Sequence, residues 1–574
     1  MKLIQTIKQQ LKGLSTSISR FPVSTLLSFI LFTLLVMLNE RSIDGSNTDV
    51  LEKMAIVTTL GFFLSVSLTQ ILERIKTKLP KIPVVLAGTL GFMAIYYFFF
   101  LKEINNVTMI RSGGTLVFLI ITVFYTLKKK DDTDYERYVM KIFSGFFITF
   151  LYAGVLFLGI AFIIFTVNAL FDANIDGKWY LYSFYASTFI FGSPLLLSKL
   201  PEKDEMVADT PYSKVFRALL LYIVIPLIII YTVILYVYFV QILVTQEWPR
   251  GLVSNLVLWY AAFSVGVIFF IYPIVEEAPI ARLFKTWFPR AIIPILVMMF
   301  VSIGLRINQY GFTESRYYVV LLGLFVLGSM VYFSIIKKST MVFIPIALSF
   351  FVLISVYGPL SALEVSYRSQ NQRLTEILQD NGMLSDNVIT AKNDLPVEAQ
   401  KNIASITSFF INRDIEKMKY VDPTFTLSNF STVFGFTHKY DYEYNNNQDY
   451  YYVSSDISYQ PVFIKGYDYL FNVDSYDNNI TLDGYKLTLK NKTTLVITKD
   501  NQVIFEENLD KELLRIISAY EEKAMDTLDR ETAVIKHQDS AIDVKIILNN
   551  LSARKSADGT PVYDSVSLLV LFTP

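Results

Sequence analysis

The chain is 574 residues long, 53% hydrophobic and 15% aromatic, with only 18% charged residues and a formal net charge of zero. That balance departs from ordinary soluble domains in the direction of membrane proteins. It contains no cysteine, which excludes disulfides, thiol chemistry and any cysteine-ligated metal site.

Residues 3–17 read as an amphipathic helix lying along the inner membrane surface. Leu3, Ile4, Ile7, Leu11 and Leu14 share one side, and Lys2, Lys8 and Lys12 are placed to meet anionic lipid. This interfacial segment takes residues 1–20. Residues 21–360 then form a polytopic membrane domain, an all-α bundle of about eleven spans: 21–38, 55–71, 83–101, 113–127, 142–169, 179–198, 218–244, 252–274, 288–305, 317–336 and 341–359. About 20 apolar residues cross a bilayer as a helix, and the fourth stretch is the shortest of the set. The first stretch starts too far in, and is followed by too many others, to be a cleaved signal peptide.

Lys and Arg alternate between loops. The N-terminal tail and the loops after even-numbered spans hold 22, counting Arg290 at the edge of span nine, and the intervening loops hold 8. Cytoplasmic loops retain positive charge, so the N-terminus is expected on the cytoplasmic side of the cytoplasmic membrane, with the C-terminus outside after eleven crossings.

Residues 361–574 are therefore expected to be an extracytoplasmic α+β domain, carrying 21 basic against 31 acidic residues. An acidic domain is a poor nucleic-acid binder. Helical spacing covers 366–380 and 397–412, with Asn381-Gly382 as a stop for the first. Alternation predicts strands at 485–490 and 494–498, Asp500-Asn501 turns the chain into a strand at 502–506, and a helix follows at 509–528. Residues 541–551 and 565–572 close the chain as strands. The tyrosine-rich run at 440–452 reads first as a polar insertion between strands and second as a recognition loop for sugars or peptides.

Catalytic signatures are sparse. The two histidines, His438 and His537, have no ligand partner at a metal-binding spacing, and no phosphate-binding glycine loop or nucleophile elbow occurs. No cofactor or metal is expected. The central portions of the spans hold no ionisable residue, unlike many ion-coupled transporters. Pro226 and Pro294 predict kinks or breaks in their helices, with packed kinks the favoured form. At the membrane boundary, Glu276 and Glu277 could share a proton or a cation. Adjacent helical residues point about 100° apart, which favours a structural reading with Arg282 or Lys285 as partners.

The sequence RINQYGFTESRYY, residues 306–318, lies between spans nine and ten. Arg306 is expected in the last turn of span nine, Gly311 in the turn, Thr313 at the next N-cap and Glu314 in the following first turn. Arg316 does not fit this scheme. It falls near a helix N-terminus, where the dipole opposes a cation, and two residues from Glu314, so it needs a partner from elsewhere: a lipid headgroup, the outer domain or a ligand. Arg306, Tyr310, Glu314, Arg316 and Tyr317 form the candidate ligand- or partner-binding set, beside the plainer reading of a well-made hairpin.

With WFPRAIIPIL before it and YGPLSALEVSYRSQNQRLTEILQDNGML after it, this stretch resembles a bacterial family defined as a domain of unknown function, number 4153. The resemblance implies a multi-pass bacterial membrane protein with an extracytoplasmic tail and implies no activity. The partners expected are the lipid bilayer and an envelope protein, lipid or glycan. Three functional classes follow: a non-catalytic envelope scaffold or sensor, a transporter or flippase for a lipid-linked or amphipathic substrate, and a lipid-linked transferase with Glu314 as its carboxylate. The first is preferred.

Overall fold

A computed structural model describes residues 17–43, 45, 47–75, 79–127, 135–171, 173–202, 212–245, 252–336, 340–436, 438, 450–454, 462–475, 480–500, 502–523, 533–538, 542–555 and 561–574. The chain forms two compact units, Met1–Arg373 and Leu374–Pro574. The expected interfacial helix at 3–17 lies outside the described residues except for Ser17.

The first unit is helical throughout its described part. Hydrocarbon offers no partner for backbone N–H and C=O groups, so apolar segments satisfy them internally as helices. Among the described residues nine helices are long and apolar enough to cross a membrane: Pro22–Ile43, Asp49–Ile75, Lys81–Phe100, Asn106–Tyr125, Tyr135–Phe171, Lys214–Thr245, Ser254–Ile274, Pro279–Tyr310 and Glu314–Ile335. Two further apolar segments lie outside this set. One comprises the helix Lys178–Tyr185, a π-helical stretch Ala186–Gly192 and the helix Ser193–Lys199, diluted by serine, threonine and tyrosine. The other, Phe343–Val356, has only 14 helical residues.

The helices are labelled α1 (Pro22–Ile43), α2 (Asp49–Ile75), α3 (Lys81–Ile95), α4 (Asn106–Tyr125), α5 (Tyr135–Phe171), α6 (Lys178–Tyr185), α7 (Ser193–Lys199), α8 (Lys214–Leu219), α9 (Ile225–Thr245), α10 (Leu252–Ile271), α11 (Pro279–Ala291), α12 (Ile293–Tyr310), α13 (Glu314–Ile335), α14 (Phe343–Val356) and α15 (Ala362–Asp380). Packing between them uses small and hydroxyl-bearing residues, as expected where lipid removes the hydrophobic contrast between helix and surroundings. Ser24 and Ser65 bring their Oγ atoms to 2.7 Å between α1 and α2, and Ser67 and Thr122 meet at 2.8 Å between α2 and α4. Gly114 lets α14 lie against α4: a Cβ there would stand 2.3 Å from Val356 Cγ1.

Both prolines sit at changes of helix type. A π-helical stretch, Leu220–Val224, precedes α9, in which Pro226 is the second residue. Pro294 is the second residue of α12, after a break at Ile292. That break defines an element that apolar run length did not separate from the following span. Residues 279–291, read as loop and span start, form α11, with Ala281, Phe284 and Phe288 buried and Leu283 and Trp287 exposed.

The second unit holds the end of α15, then α16 (Val397–Ile411) and α17 (Phe430–Phe434). Its strands are β1 (Leu384–Ser385), β2 (Val388–Ile389), β3 (Tyr450–Ser454), β4 (Tyr469–Asp474), β5 (Ile480–Leu482), β6 (Tyr485–Lys490), β7 (Thr494–Lys499), β8 (Gln502–Asn508), β9 (Val534–Gln538), β10 (Asp543–Lys555) and β11 (Pro561–Thr573), with α18 (Asp510–Lys523) after β8. One antiparallel sheet has the order β3-β10-β11-β4, with β9 also on β10; the other is the meander β5-β6-β7-β8. Strands β3 and β9 take successive stretches of β10, Asn550–Arg554 and Asp543–Ile547. Leu487 and Ile497 from the meander, Ile546 and Leu568 from the larger sheet, and Leu513 and Ile516 from α18 share one core. Alternate residues of β6, Tyr485, Leu487 and Leu489, face inward, which is the period-two pattern a half-buried strand requires.

Leu568 is fully buried in this core. Leu568→Ala is expected to destabilise the second unit by about 2–5 kcal/mol, seen as faster proteolysis of residues 374–574 in the purified full-length protein. Unchanged resistance would contradict the shared core.

Candidate functional site

The candidate residues between α12 and α13 meet a backbone accounting problem. A helix leaves its last four carbonyls without intrahelical donors, and here those carbonyls fall at the end of an apolar span. Helix α12 continues to Tyr310, one turn beyond the expected end, so Arg306 stands before the last turn rather than in it. The Gly311 amide then closes the helix by donating to the Ile307 carbonyl at 2.8 Å.

Gly311 has φ +71° and ψ 179°, a region essentially confined to glycine. Its lack of a side chain also admits α15. A Cβ would lie 2.6 Å from Arg373 Cδ and 3.0 Å from both Gln370 Nε2 and Ser369 Oγ.

The exposed carbonyls are met by two guanidinium groups and an amide. Arg316 Nη1 donates to the Gly311 carbonyl at 2.9 Å and the Tyr310 carbonyl at 3.3 Å. Its guanidinium carbon also stands 5.4 Å from the centre of the Tyr310 ring. Arg373 Nη1 donates to the Tyr310 carbonyl at 2.8 Å. Gln370 Nε2 donates to the Phe312 carbonyl at 2.7 Å and the Tyr310 carbonyl at 3.2 Å. In return, the Phe312 amide donates to Ser369 Oγ at 2.9 Å.

This resolves the electrostatic difficulty of Arg316. Its Cα belongs to the start of α13, but its charge reaches back to the carbonyl end of α12, where a cation is favoured. Tyr317 anchors the other side, its hydroxyl donating to the Leu360 carbonyl. Glu314, Arg316 and Tyr317 are each 8% exposed, whereas Tyr310 retains 38% of its surface. Thr313 occupies the N-cap position, with Oγ1 3.1 Å from Ser315 Oγ and no side-chain cap bond.

Four of the five candidate residues thus meet in one turn, and Arg306 stands apart on α12. Sequence reasoning did not name Ser369, Gln370 and Arg373 as their partners. The signal was available in their spacing: positions 369, 370 and 373 fall on one helical face.

The paired carboxylates separate. Glu277 is held by Arg217 at 2.8 Å, and Glu276 lies 3.4 Å from Arg282 Nη2, which also donates to the Glu276 carbonyl at 2.8 Å. Their side chains are 56% and 92% exposed. The two arginines compensate them individually, and solvent screens both pairs.

His438 Nε2 lies 2.9 Å from Ser408 Oγ and its ring is edge-on to Phe430 at 4.8 Å. His537 Nδ1 is 3.5 Å from Glu507. In the tyrosine-rich run, 440–449 lie outside the described residues, and 450–452 belong to strand β3. No group of three or more potential metal ligands is found among the described residues.

The model of a family described as Domain of unknown function (DUF4153) matches residues 26–393. The chain belongs to this family. The matched region takes in the spans from α1 onward, the α12–α13 turn and all of α15, and ends before both large sheets. No curated protein and no solved structure matches.

Two substitutions test the turn. Gly311→Ala is expected to cost about 1–3 kcal/mol for backbone strain, with further loss as α15 is displaced. Arg316→Leu strips the Tyr310 and Gly311 carbonyls of a charged donor and is expected to cost about 1–3 kcal/mol, only partly recovered by Arg316→Lys, whose ammonium lacks the planar fork. Melting of the purified protein in detergent reads both. Unchanged midpoints would contradict the assignment.

Proposed function

We propose that the protein is an eleven-span envelope protein of a bacterial cytoplasmic membrane, a non-catalytic scaffold or sensor whose C-terminal unit faces outward. The observation that carries this reading is α15. Its first three turns hold the carbonyl end of α12, and the same unbroken helix continues past Arg373 into the second compact unit. A load or ligand acting on the second unit is thereby given a covalent, hydrogen-bonded route to the membrane helices. The candidate residues act as the seat of that helix, with Arg316 and Tyr317 used internally.

The count of eleven is supported by two packing relations. The segment containing α6 and α7 follows α1 along its length in the opposite direction. Lys178 and Tyr182 reach Glu40 at 3.1 and 2.7 Å, Ser28 donates to the Phe189 carbonyl at 2.6 Å, and Arg20 donates to the Leu200 carbonyl at 2.8 Å. Twenty helical residues separate Arg20 from Glu40, a rise of about 30 Å, close to the hydrocarbon thickness. If α1 crosses, this segment crosses back.

The α14 segment follows α13 in the same manner. Phe343 stacks on Tyr332 at 5.1 Å, Phe351 meets Phe325 at 5.9 Å, and Tyr317 bonds the Leu360 carbonyl. Nine or eleven crossings place the chain ends on opposite sides and ten place them on the same side, so both segments bear on the topology.

The absence of cysteine makes a clean test available. A membrane-impermeant maleimide added to intact cells is expected to label Glu416→Cys in the second unit and to spare Thr286→Cys in α11 until the membrane is opened. Labelling of Thr286→Cys with protection of Glu416→Cys would overturn the orientation. Equal labelling of the two in intact cells would overturn the odd number of crossings between α11 and the second unit, and with it the count of eleven. For the scaffold role, photo-crosslinking from the second unit of the full-length protein is expected to capture an envelope protein, lipid or glycan. A purified product that turns over a lipid-linked substrate would replace this role with a catalytic one.

A further inference from the structure

A fourth span expected at 113–127 leaves Arg111 in the loop before it. In the structure Asn105 caps the helix, its side chain accepting from the Thr108 amide at 2.9 Å, and α4 starts at Asn106. Arg111 therefore lies inside a helix that meets the spanning criterion, about 8 Å from its start at 1.5 Å per residue. A cation so placed needs a partner, because hydrocarbon supplies none.

Its position on α4 turns it toward the bundle. Thr108, Ser112, Thr115, Leu119 and Thr122 form the buried face of this helix, while Met109, Gly113 and Val117 are exposed. Arg111 stands one turn from Thr115 on the same side. Gly114, next round the helix, receives Val356 at the end of α14. Arg111 as a whole is half-buried, and its Nε is shut off from solvent without a hydrogen-bond partner. Among the described residues no carboxylate lies within ion-pair distance of it. A buried donor on a charged group is costly to leave unmet, and the described chain spends no acceptor on this guanidinium. Its two Nη groups, which are not shut off as Nε is, form the edge a ligand can reach.

The neighbouring side chains build a wall. Tyr357 OH lies 2.6 Å from Thr115 Oγ1 and donates to Tyr96 OH at 3.4 Å, and Tyr96 OH donates to Ser112 Oγ at 3.3 Å. Phe100 closes this cluster, stacking on Tyr96 at 5.2 Å and meeting Tyr357 edge-on at 5.6 Å. Arg111 is near enough to Tyr357 for its charge to act on the phenol. The hydroxyls are bonded to one another, so they hold the wall in shape and leave the ionic contact to Arg111.

The geometry points to a phosphate-binding site at Arg111, in which two oxygens of the anion accept from the two Nη groups side by side, next to the wall of Tyr96, Phe100 and Tyr357. The planar fork of arginine suits this two-point contact. Helical side chains lean toward the helix start, so the Arg111 stem carries the guanidinium toward the level at which lipid headgroups begin. The phosphate can belong to an anionic phospholipid headgroup. It can equally belong to a free phosphorylated compound. The site stands whichever way the chain is oriented in the membrane.

The purified full-length protein is placed in nanodiscs of phosphatidylcholine, with or without phosphatidylglycerol, and retained lipid is read by native mass spectrometry. Melting is followed with and without inorganic phosphate at constant ionic strength. Preferential retention of phosphatidylglycerol is expected, falling about tenfold in Arg111→Gln with the loss of a charge-assisted contact. Arg111→Lys, which keeps the charge without the fork, should fall between the two. Arg41→Gln removes an exposed arginine at the same end of the bundle, where Lys53 of α2 reaches the Lys102 carbonyl just before α4, and should leave retention unchanged. If the lipids are retained equally but phosphate raises the melting point of the parent and not of Arg111→Gln, the site serves a free phosphorylated compound. Melting in phosphatidylcholine without phosphate checks that the variants fold. Equal lipid retention with no phosphate effect overturns the proposal, as does a phosphatidylglycerol preference that Arg111→Gln leaves intact or that Arg41→Gln lowers as far.

Discussion

A helix that ends at the boundary of a hydrocarbon layer presents carbonyl groups that nothing within the helix can satisfy, and the protein must supply donors for them. The end of α12 answers this need with Arg316, Gln370 and Arg373 gathered on the Tyr310, Gly311 and Phe312 carbonyls. Two cations at one helix C-terminus are favourable there because they face the negative end of its dipole. Everything else in the turn follows from making room for those donors. Gly311 supplies a backbone conformation and a missing Cβ, and Ser369 takes the Phe312 amide.

The arrangement ties three elements together at a single point. Helices α12 and α13 are both long enough and apolar enough to span, and α15 carries the chain from the membrane bundle into the second unit. Burial of Arg316 and Tyr317 places their chemistry inside the fold, while the half-exposed Tyr310 covers the guanidinium from outside. The family match covers this joint and ends ahead of the two large sheets. The joint therefore lies within the matched region.

Much of the architecture was legible in the sequence because it rests on local patterns. Apolar run length located nine of the helices that satisfy the spanning criterion, and alternation located β6 and β7 almost to the residue. Strands β10 and β11 extend beyond the expected 541–551 and 565–572, since their outer ends are held by pairing with each other and with β3 rather than by an apolar pattern of their own. Helix α11 was missed because spans were located by unbroken apolar runs, which Arg282, Lys285 and Arg290 interrupt, whereas its signal is periodic: Ile280, Leu283, Phe284, Trp287 and Phe288 recur at helical spacing along one stripe. The turn at 306–318 was legible as unusual, and Arg316 as ill-matched to its own helix, but the partner expected for it, a lipid headgroup, the outer domain or a ligand, differs from the Tyr310 and Gly311 carbonyls it meets. These two partners were hidden because they are main-chain carbonyls, which every residue carries and no sequence distinguishes. Their other donors lie some 60 residues away on α15.

The most direct test is hydrogen exchange on the intact protein in a bilayer. If the carbonyl end of α12 is capped by α15, amides of 311–317 and of 362–373 exchange slowly and in step, opening together as temperature or denaturant is raised. Rapid exchange of 311–317 while 362–373 stay protected would mean that the turn and the helix do not support one another, and the account built on their contact would be wrong.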